Sequence, residues 1–250
     1  MKWRLLKRIE DEGARQMAID EAMLKLRAQE KIPNTLRFFT WKPRAITIGY
    51  FQSLDKEVDT EKCLKENVDV IRRYTGGGAV FHDKEITYSI VVPEKEIKGD
   101  IIESYKKICA GITKGLEKIG ITAEFKPIND IIVNGKKISG NAQTRRDGVI
   151  LQHGTLLLDL DIETMFSLLK VPDEKIKDKM IKNVKERLTS VRKELGKEIT
   201  LDEIQQKMTE GFEEALNAEF VVEELSEEEE KLSQEIYSKK YSTKEWTNSR

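Results

Sequence analysis

The sequence predicts an α+β fold built on a largely antiparallel mixed sheet flanked by helices, and three observations carry that prediction. Two hairpin dipeptides, Asn134-Gly135 and Asp147-Gly148, join apolar runs; short β-rich segments follow one another without strict alternation with helices; neither G-x-x-x-x-G-K-[ST] nor G-x-G-x-x-G occurs. Hairpin-linked neighbours belong to antiparallel sheets, which disfavours a doubly wound parallel one. A chain of 250 residues can bury a sizeable core. No Pro/Gly/Ser-rich linker divides it, so a single domain over residues 1–250 is expected.

A first short strand precedes a helix over residues 13–29, where Ala14, Ala18, Ala22 and Leu26 recur every fourth position beside Ile19 and Met23. That small-residue stripe should pack closely on a sheet. Strands are expected over 36–39, 45–49, 68–72 and 86–92, each rich in β-branched or aromatic residues. A helix then runs over 101–119 with the stripe Tyr105, Ile108, Ile112, Leu116, Ile119, and Gly120 sits at its stop. Around the two hairpins, three antiparallel strands are expected over 130–133, 136–145 and 149–159. Beyond them the pattern turns helical, with Thr200-x-x-Glu203 and Ser226-x-x-Glu229 reading as capping boxes. The acidic run 227–230 reads as a solvated first helical turn favoured by the helix dipole.

Composition excludes several classes. The 44 Lys+Arg against 45 Asp+Glu leave a net charge of −1, so there is no basic surplus to hold nucleic acid. Cys63 and Cys109 lie in no metal-ligand or C-x-x-C spacing, which argues against a disulfide framework or a zinc site. The first ten residues lack a signal-peptide apolar core and no run approaches the ~18 apolar residues of a membrane span. A cytoplasmic protein without a membrane partner is expected.

Three clusters are candidates for chemistry. In the run from Arg72 to Asp83, three consecutive glycines, Gly76, Gly77 and Gly78, cost backbone entropy and permit a ligand to approach the main chain. Arg72 and Arg73 ahead of them are placed to neutralise a carboxylate or phosphate; a plain hairpin turn with solvated arginines fits the pattern equally well. On the strand leaving the first hairpin, Lys136 and Lys137 point to opposite faces, so only one reaches the working side. A lysine there can stabilise charge developing as a carboxylate attacks ATP, and Asp130 can hold magnesium against phosphates; taken singly, each is more often a surface charge. The only two histidines, His82 and His153, make neither a metal site nor a triad, and read as structural or binding groups.

Assembled in order, these clusters resemble the lipoate protein ligase family, whose catalytic domain shares its fold with biotin protein ligases and class II aminoacyl-tRNA synthetases. The resemblance covers nearly the whole chain. It begins with Asn34-x-x-Arg37-Phe38-Phe39 and Ile48-Gly49-Tyr50-Phe51-Gln52 and continues through the arginine/glycine loop, Asn129-Asp130-Ile131 and Lys137-Ile138-Ser139-Gly140-Asn141-Ala142-Gln143. His153-Gly154-Thr155-Leu156-Leu157 and Lys240-Tyr241-Ser242-Thr243-Lys244-Glu245-Trp246 complete it. The combination in this order is highly specific.

The resemblance implies a lipoyl or acyl-adenylate site made by Arg72, Gly76, Gly77, Gly78, Ala79, His82, Lys137, Gly140, Ala142, His153 and Gly154. It implies ATP contacts from Gly77, Val80, Asn129, Asp130, Lys137 and Arg187, with Mg2+ on Asp130, Lys137 as the catalytic group, and residues 178–190 closing over the adenylate. The implied reaction converts lipoate or octanoate and MgATP to acyl-AMP, then transfers the acyl group to an acceptor lysine. Implied acceptors are lipoyl domains of 2-oxoacid dehydrogenase E2 subunits and the glycine cleavage H protein; no tightly bound prosthetic group is expected. Full-length bacterial ligases carry a further small domain after the Tyr-x-x-x-Glu-Trp region, so the end at Arg250 resembles a bipartite ligase with a separate accessory subunit. The runner-up is the octanoyltransferase branch, which moves octanoyl from acyl carrier protein through a cysteine, placed in one branch in an insertion ahead of the lysine strand. Here the stretch 125–130 is too short for it, and Cys63 and Cys109 lie in helical segments away from an activating environment. A non-catalytic acyl- or nucleotide-binding subunit is the reading from another class. Biotin ligation fits less well, because the loop lacks the arginine-rich repeat of that branch.

Overall fold

The computed structural model describes residues 2–170 and 174–250. Among them run strands β1 (Lys2–Asp11), β2 (Thr35–Trp41), β3 (Ala45–Ile48), β4 (Asp69–Arg72), β5 (Val80–His82) and β6 (Glu85–Pro93). Strands β7 (Glu124–Lys126), β8 (Asp130–Val133), β9 (Lys136–Arg146), β10 (Val149–Leu157) and β11 (Glu219–Glu223) follow. An 8-stranded sheet has the order β11-β1-β2-β6-β10-β9-β8-β7, and β4-β3-β5 form a second, 3-stranded sheet.

The α+β class read from the sequence is the one observed. Both hairpin dipeptides make two-residue turns with positive φ at each position, 50° and 76° at Asn134-Gly135 and 51° and 74° at Asp147-Gly148, the geometry that matches strand twist. From β2 to β7 the large sheet is antiparallel, but β1 pairs in parallel with both β2 and β11. The expected short first strand is in fact 10 residues long. Its parallel partner β2 requires a crossover, which the helix Gly13–Ala28 supplies.

Every residue of β6 is buried because both faces of the sheet are covered. Ile86, Tyr88, Ile90 and Val92 meet Ile108, Ile112 and Leu116 of the helix Ile101–Glu117, together with Ile204, Met208 and Phe212 of the helix Leu201–Leu216. These two helices touch at backbone distance, since a Cβ on Gly211 would fall 2.2 Å from the Gly111 carbonyl oxygen and 2.4 Å from the Gly115 nitrogen. On the other face Leu6, Val91 and Leu151 pack with Ile19, Met23 and Leu26. Of the predicted stripe, Leu26 joins this group, while Ala14, Ala18 and Ala22 pack on strand residues as expected, Phe39 and Trp41 of β2, Ala45 of β3 and Ile71 of β4, and also meet the C-terminal Ile236 and Tyr241.

The two caps differ in completeness. Ser226 and Glu229 exchange both bonds of a capping box, whereas Thr200 only accepts from the Glu203 amide, at 3.1 Å. The reading of 227–230 as a solvated turn holds for three of its residues and fails for Glu229, which is 0% exposed. Its carboxylate pairs with the buried Arg4 guanidinium at 2.5 Å, because the helix Glu227–Ile236 docks that face on the protein. No helix among the described residues is long and apolar enough to cross a membrane.

Candidate active site

The small sheet and the ends of β9 and β10 enclose a cleft of about 270 Å3, near the lower end of the ~300–1,000 Å3 typical of small-molecule sites. Its wall takes Gly77, Gly78, Ala79, Val80 and His82 from the glycine loop and β5. Asn129 joins them with Lys137, Gly140 and Ala142 of β9 and His153 and Gly154 of β10. The glycine loop and the β9–β10 hairpin, far apart in sequence, therefore converge on one cleft.

Four expected residues are not on that wall. Arg72 is 0% exposed and turns away, its guanidinium capping the carbonyls of Gly49, Tyr50 and Gln52 and of Trp246, Thr247 and Arg250. The reason is strand alternation: of two adjacent arginines leaving β4, one faces the cleft and the other the opposite side. Gly76 lies one residue outside the wall. Arg187 is exposed, and the cleft is reached by Leu188 instead. Asp130 stands one step back, bonded to the Lys137 ammonium at 2.7 Å.

Arg73 is the cleft-facing arginine. Its guanidinium donates to the Thr47 carbonyl and hydroxyl at 2.8 and 2.7 Å and to the carbonyls of Gly76 and Gly78 at 3.0 and 2.9 Å. Burial lowers it to about 10, so it stays charged near neutral pH. The charge thus curls the glycine loop around one cation, with Gly77 at a φ of 97° that a side chain would strain. Gly49 completes the seat, because a Cβ there would lie 1.9 Å from the Gly77 carbonyl oxygen.

Two buried histidines brace the wall through hydrogen bonds. His82 meets Thr47 Oγ1 through Nε2 at 2.7 Å and Glu85 Oε1 through Nδ1 at 2.5 Å, and stacks on Trp41 with centroids 3.9 Å apart. His153 meets Thr75 Oγ1 at 2.8 Å and Asp20 Oδ2 at 3.0 Å, so it ties the loop stem to the helix Gly13–Ala28. Burial holds the His153 imidazole below its ordinary 6.5, against the pull of Asp20. Since the unfolded chain takes up this proton at a higher pH than the folded one, the stability His153 allows is fully present above 6.5 and falls as the pH drops through 6.5 toward the folded value. The melting temperature should therefore decline between about pH 7.5 and 5.5, and a His153→Gln protein should decline less steeply. Identical slopes would exclude His153 as the source.

On the facing wall a β-bulge interrupts the β8–β9 register, Ile131 pairing with Ser139 but Ile132 with Lys137. The extra residue, Ile138, breaks strict alternation beside Lys137, a device by which bulges re-aim side chains. Gly140 leaves the ammonium room, as a Cβ there would come 2.7 Å from both Lys137 Cε and Nζ. The segment after the helix Glu174–Arg187 then covers this strand: Leu188 bridges Lys137, and the Thr189 amide donates to the Lys137 carbonyl at 2.9 Å. Asn129 and Asn141 clasp each other's backbone, and Tyr88 donates to Asn141 Oδ1 at 2.7 Å above Gly154, where a Cβ would collide with that oxygen at 2.0 Å.

Neither cysteine contributes to the cleft. Cys63 and Cys109 are 1% and 0% exposed, and burial pushes their thiols up to about 11 and about 12. No group of three or more side chains placed to hold a metal occurs among the described residues; Asp83, Glu85, Asp159 and Asp161 line the cleft singly, and Asp130 stands beside it on Lys137.

A family model described as the lipoyl protein ligase A/B catalytic domain matches residues 12–213. Octanoyltransferase LipM of Clostridioides difficile (strain 630) is 37% identical over 272 residues, which span 100% of this chain and 99% of that protein. A structure of a bipartite lipoate protein ligase and its E2 lipoyl domain from Thermoplasma acidophilum superposes with a TM-score of 0.90 at 33% identity, over 99% of this chain and 96% of that one. A lipoate-protein ligase A bound with ATP gives 0.86 at 31% identity, covering 99% of each chain. The fold expected from the resemblance is the fold these structures share.

Proposed function

The chain belongs to the lipoyl protein ligase A/B catalytic-domain family, and from that membership we propose that it activates lipoate or octanoate as an acyl-adenylate and transfers it to a lysine of a lipoyl domain. The observation that carries the adenylate route is the absence of an available thiol: both cysteines are buried, shifted toward the protonated form and away from the cleft, whereas Lys137 lies on its wall. A thioester intermediate needs a thiolate at the acyl carbon.

In the first step a carboxylate oxygen attacks the α-phosphorus of ATP, and pyrophosphate leaves with the bonding electrons. In the second, the neutral amine of the acceptor lysine attacks the acyl carbon, AMP departs with the electron pair, and the amine proton passes to solvent. The Lys137 ammonium neutralises the charge gathering on the acyl and phosphate oxygens without giving up its proton. Asp130 would share magnesium with the nucleotide phosphates, the arrangement this ion prefers when few protein ligands are present. The apolar part of the cleft takes the acyl chain, with Arg73 holding the glycine loop against it. A separate accessory subunit belongs to this proposal, and E2 lipoyl domains and the H protein are its acceptors.

A second reading is octanoyl transfer from acyl carrier protein, and the name of the LipM relative supports it better than the first. One assay separates the two. Purified protein is mixed with an apo lipoyl domain and either octanoate plus MgATP or octanoyl acyl carrier protein, and the acceptor is weighed by mass spectrometry. Adduct only with ATP and free acid is the expected result. Adduct only from the carrier protein would replace the ligase by the transferase, and none from either donor, with acid still bound, would leave a binding subunit.

A further inference from the structure

The C-terminal residues are built into the stem of the glycine loop. Lys240 belongs to a π-helical turn, Tyr237–Tyr241, a rare conformation. Its ammonium lies 4.2 Å from the ring centre of Tyr74, 4.0 Å from that of Trp246 and 5.0 Å from that of Tyr241, and bonds to Glu21 Oε2 at 2.6 Å. The cation is thereby held in a box of three rings closed by one carboxylate, an arrangement that strengthens cation–π attraction by excluding water. One wall, Tyr74, is the residue immediately before Thr75 and Gly76.

The stem is gripped from its other side by the same segment. The Trp246 indole donates to the Arg72 carbonyl at 2.9 Å, and Arg72 donates to the Thr247 carbonyl at 2.8 Å and to the Gln52 carbonyl at 2.7 Å. Gln52 belongs to the turn whose Tyr50 amide donates to the Thr75 carbonyl at 2.8 Å and whose Gly49 abuts Gly77. Arg72 and Lys240 therefore connect the C-terminal segment to the stem that leads into the loop lining the cleft.

We propose that Lys240 is a positioning residue, which through its box with Tyr74 and Trp246 sets the glycine loop for the acyl substrate although it lies off the cleft wall. This rests on the acyl-binding role given to the cleft above. The test compares Lys240→Met and Lys240→Arg with the parent protein for octanoate KM and kcat, melting temperature and hydrogen exchange of the Tyr50 amide. The Met variant should raise the acid KM about tenfold with kcat changed less than about twofold, and speed Tyr50 exchange, while Arg, which also stacks on rings, restores both. Tyr74→Leu, which removes a wall from the loop side, should reproduce the Met variant if that protein folds poorly. A lowered melting temperature with unchanged KM, or unchanged Tyr50 exchange in both Lys240→Met and Tyr74→Leu, would overturn the proposal. Exchange is read without substrate, so a parent protein that turns over neither donor condemns the proposed reaction and leaves Lys240 still under test.

Discussion

A Lys137→Ala protein is expected to retain its acceptor domain and lose acyl transfer, turnover falling about 10²–10³-fold, the usual consequence of removing one fixed donor from a developing oxyanion. The side chain is 38% exposed and lies 2.7 Å from Asp130, so its charge is aimed without being deeply desolvated. Removing it leaves Asp130 unopposed at the place where phosphate charge gathers, which adds repulsion to the lost attraction. Arginine should rescue poorly, since its broad planar fork has to fit the space that Gly140 leaves for a compact ammonium. The measurement is single-turnover acyl transfer beside equilibrium binding of the apo acceptor. Transfer within about twofold of the parent protein would remove Lys137 from the chemistry, a far smaller change than loss of a fixed donor produces.

Gly49→Ala should be nearly as damaging by a wholly steric route. The added methyl would sit 1.9 Å from the Gly77 carbonyl oxygen and 2.9 Å from its carbonyl carbon, and both are backbone atoms that no rotamer change can move aside. The loop has to shift away from the 49–52 turn, taking with it the carbonyls that Arg73 holds at Gly76 and Gly78. A displacement near an ångström costs about 10²-fold in a positioned reaction, so kcat/KM for the acid should drop on that scale. Gly77 and Gly78 are exposed, so the loop can move without opening the core, and far-UV circular dichroism should stay that of the parent protein. A variant with undiminished acid binding would show that the loop does not need this seat.

Elements whose signal is local were legible from the residues. Asn-Gly and Asp-Gly name a turn by the positive φ they tolerate, and the stripe in 101–119 names a helix face. Both readings stand, the helix being Ile101–Glu117. The parallel pairing of β1 with β11 was not legible, because partners more than two hundred residues apart, such as Lys2 and Glu219, leave no mark on each other's periodicity. The short β5 and β7, with 3 residues each, carry too few positions for alternation to be read. Glu229 was misread for a related reason: an acidic first turn has the same pattern whether it meets solvent or, as here, Arg4.

For the site, sequence alone determined that a glycine loop and a hairpin lysine exist, because unusual backbone freedom and turn chemistry are written in residue types. Which cation faces the cleft was decided only by tertiary structure. Alternation says that adjacent arginines on a strand point opposite ways, and it is silent about which side becomes the pocket. That depends on what packs behind, and here the C-terminal carbonyls take Arg72 and leave Arg73 for the loop. The same holds for Asn141, Thr47 and Glu85, ordinary residues in the chain whose place on the wall exists only once β3, β6 and β9 are brought together.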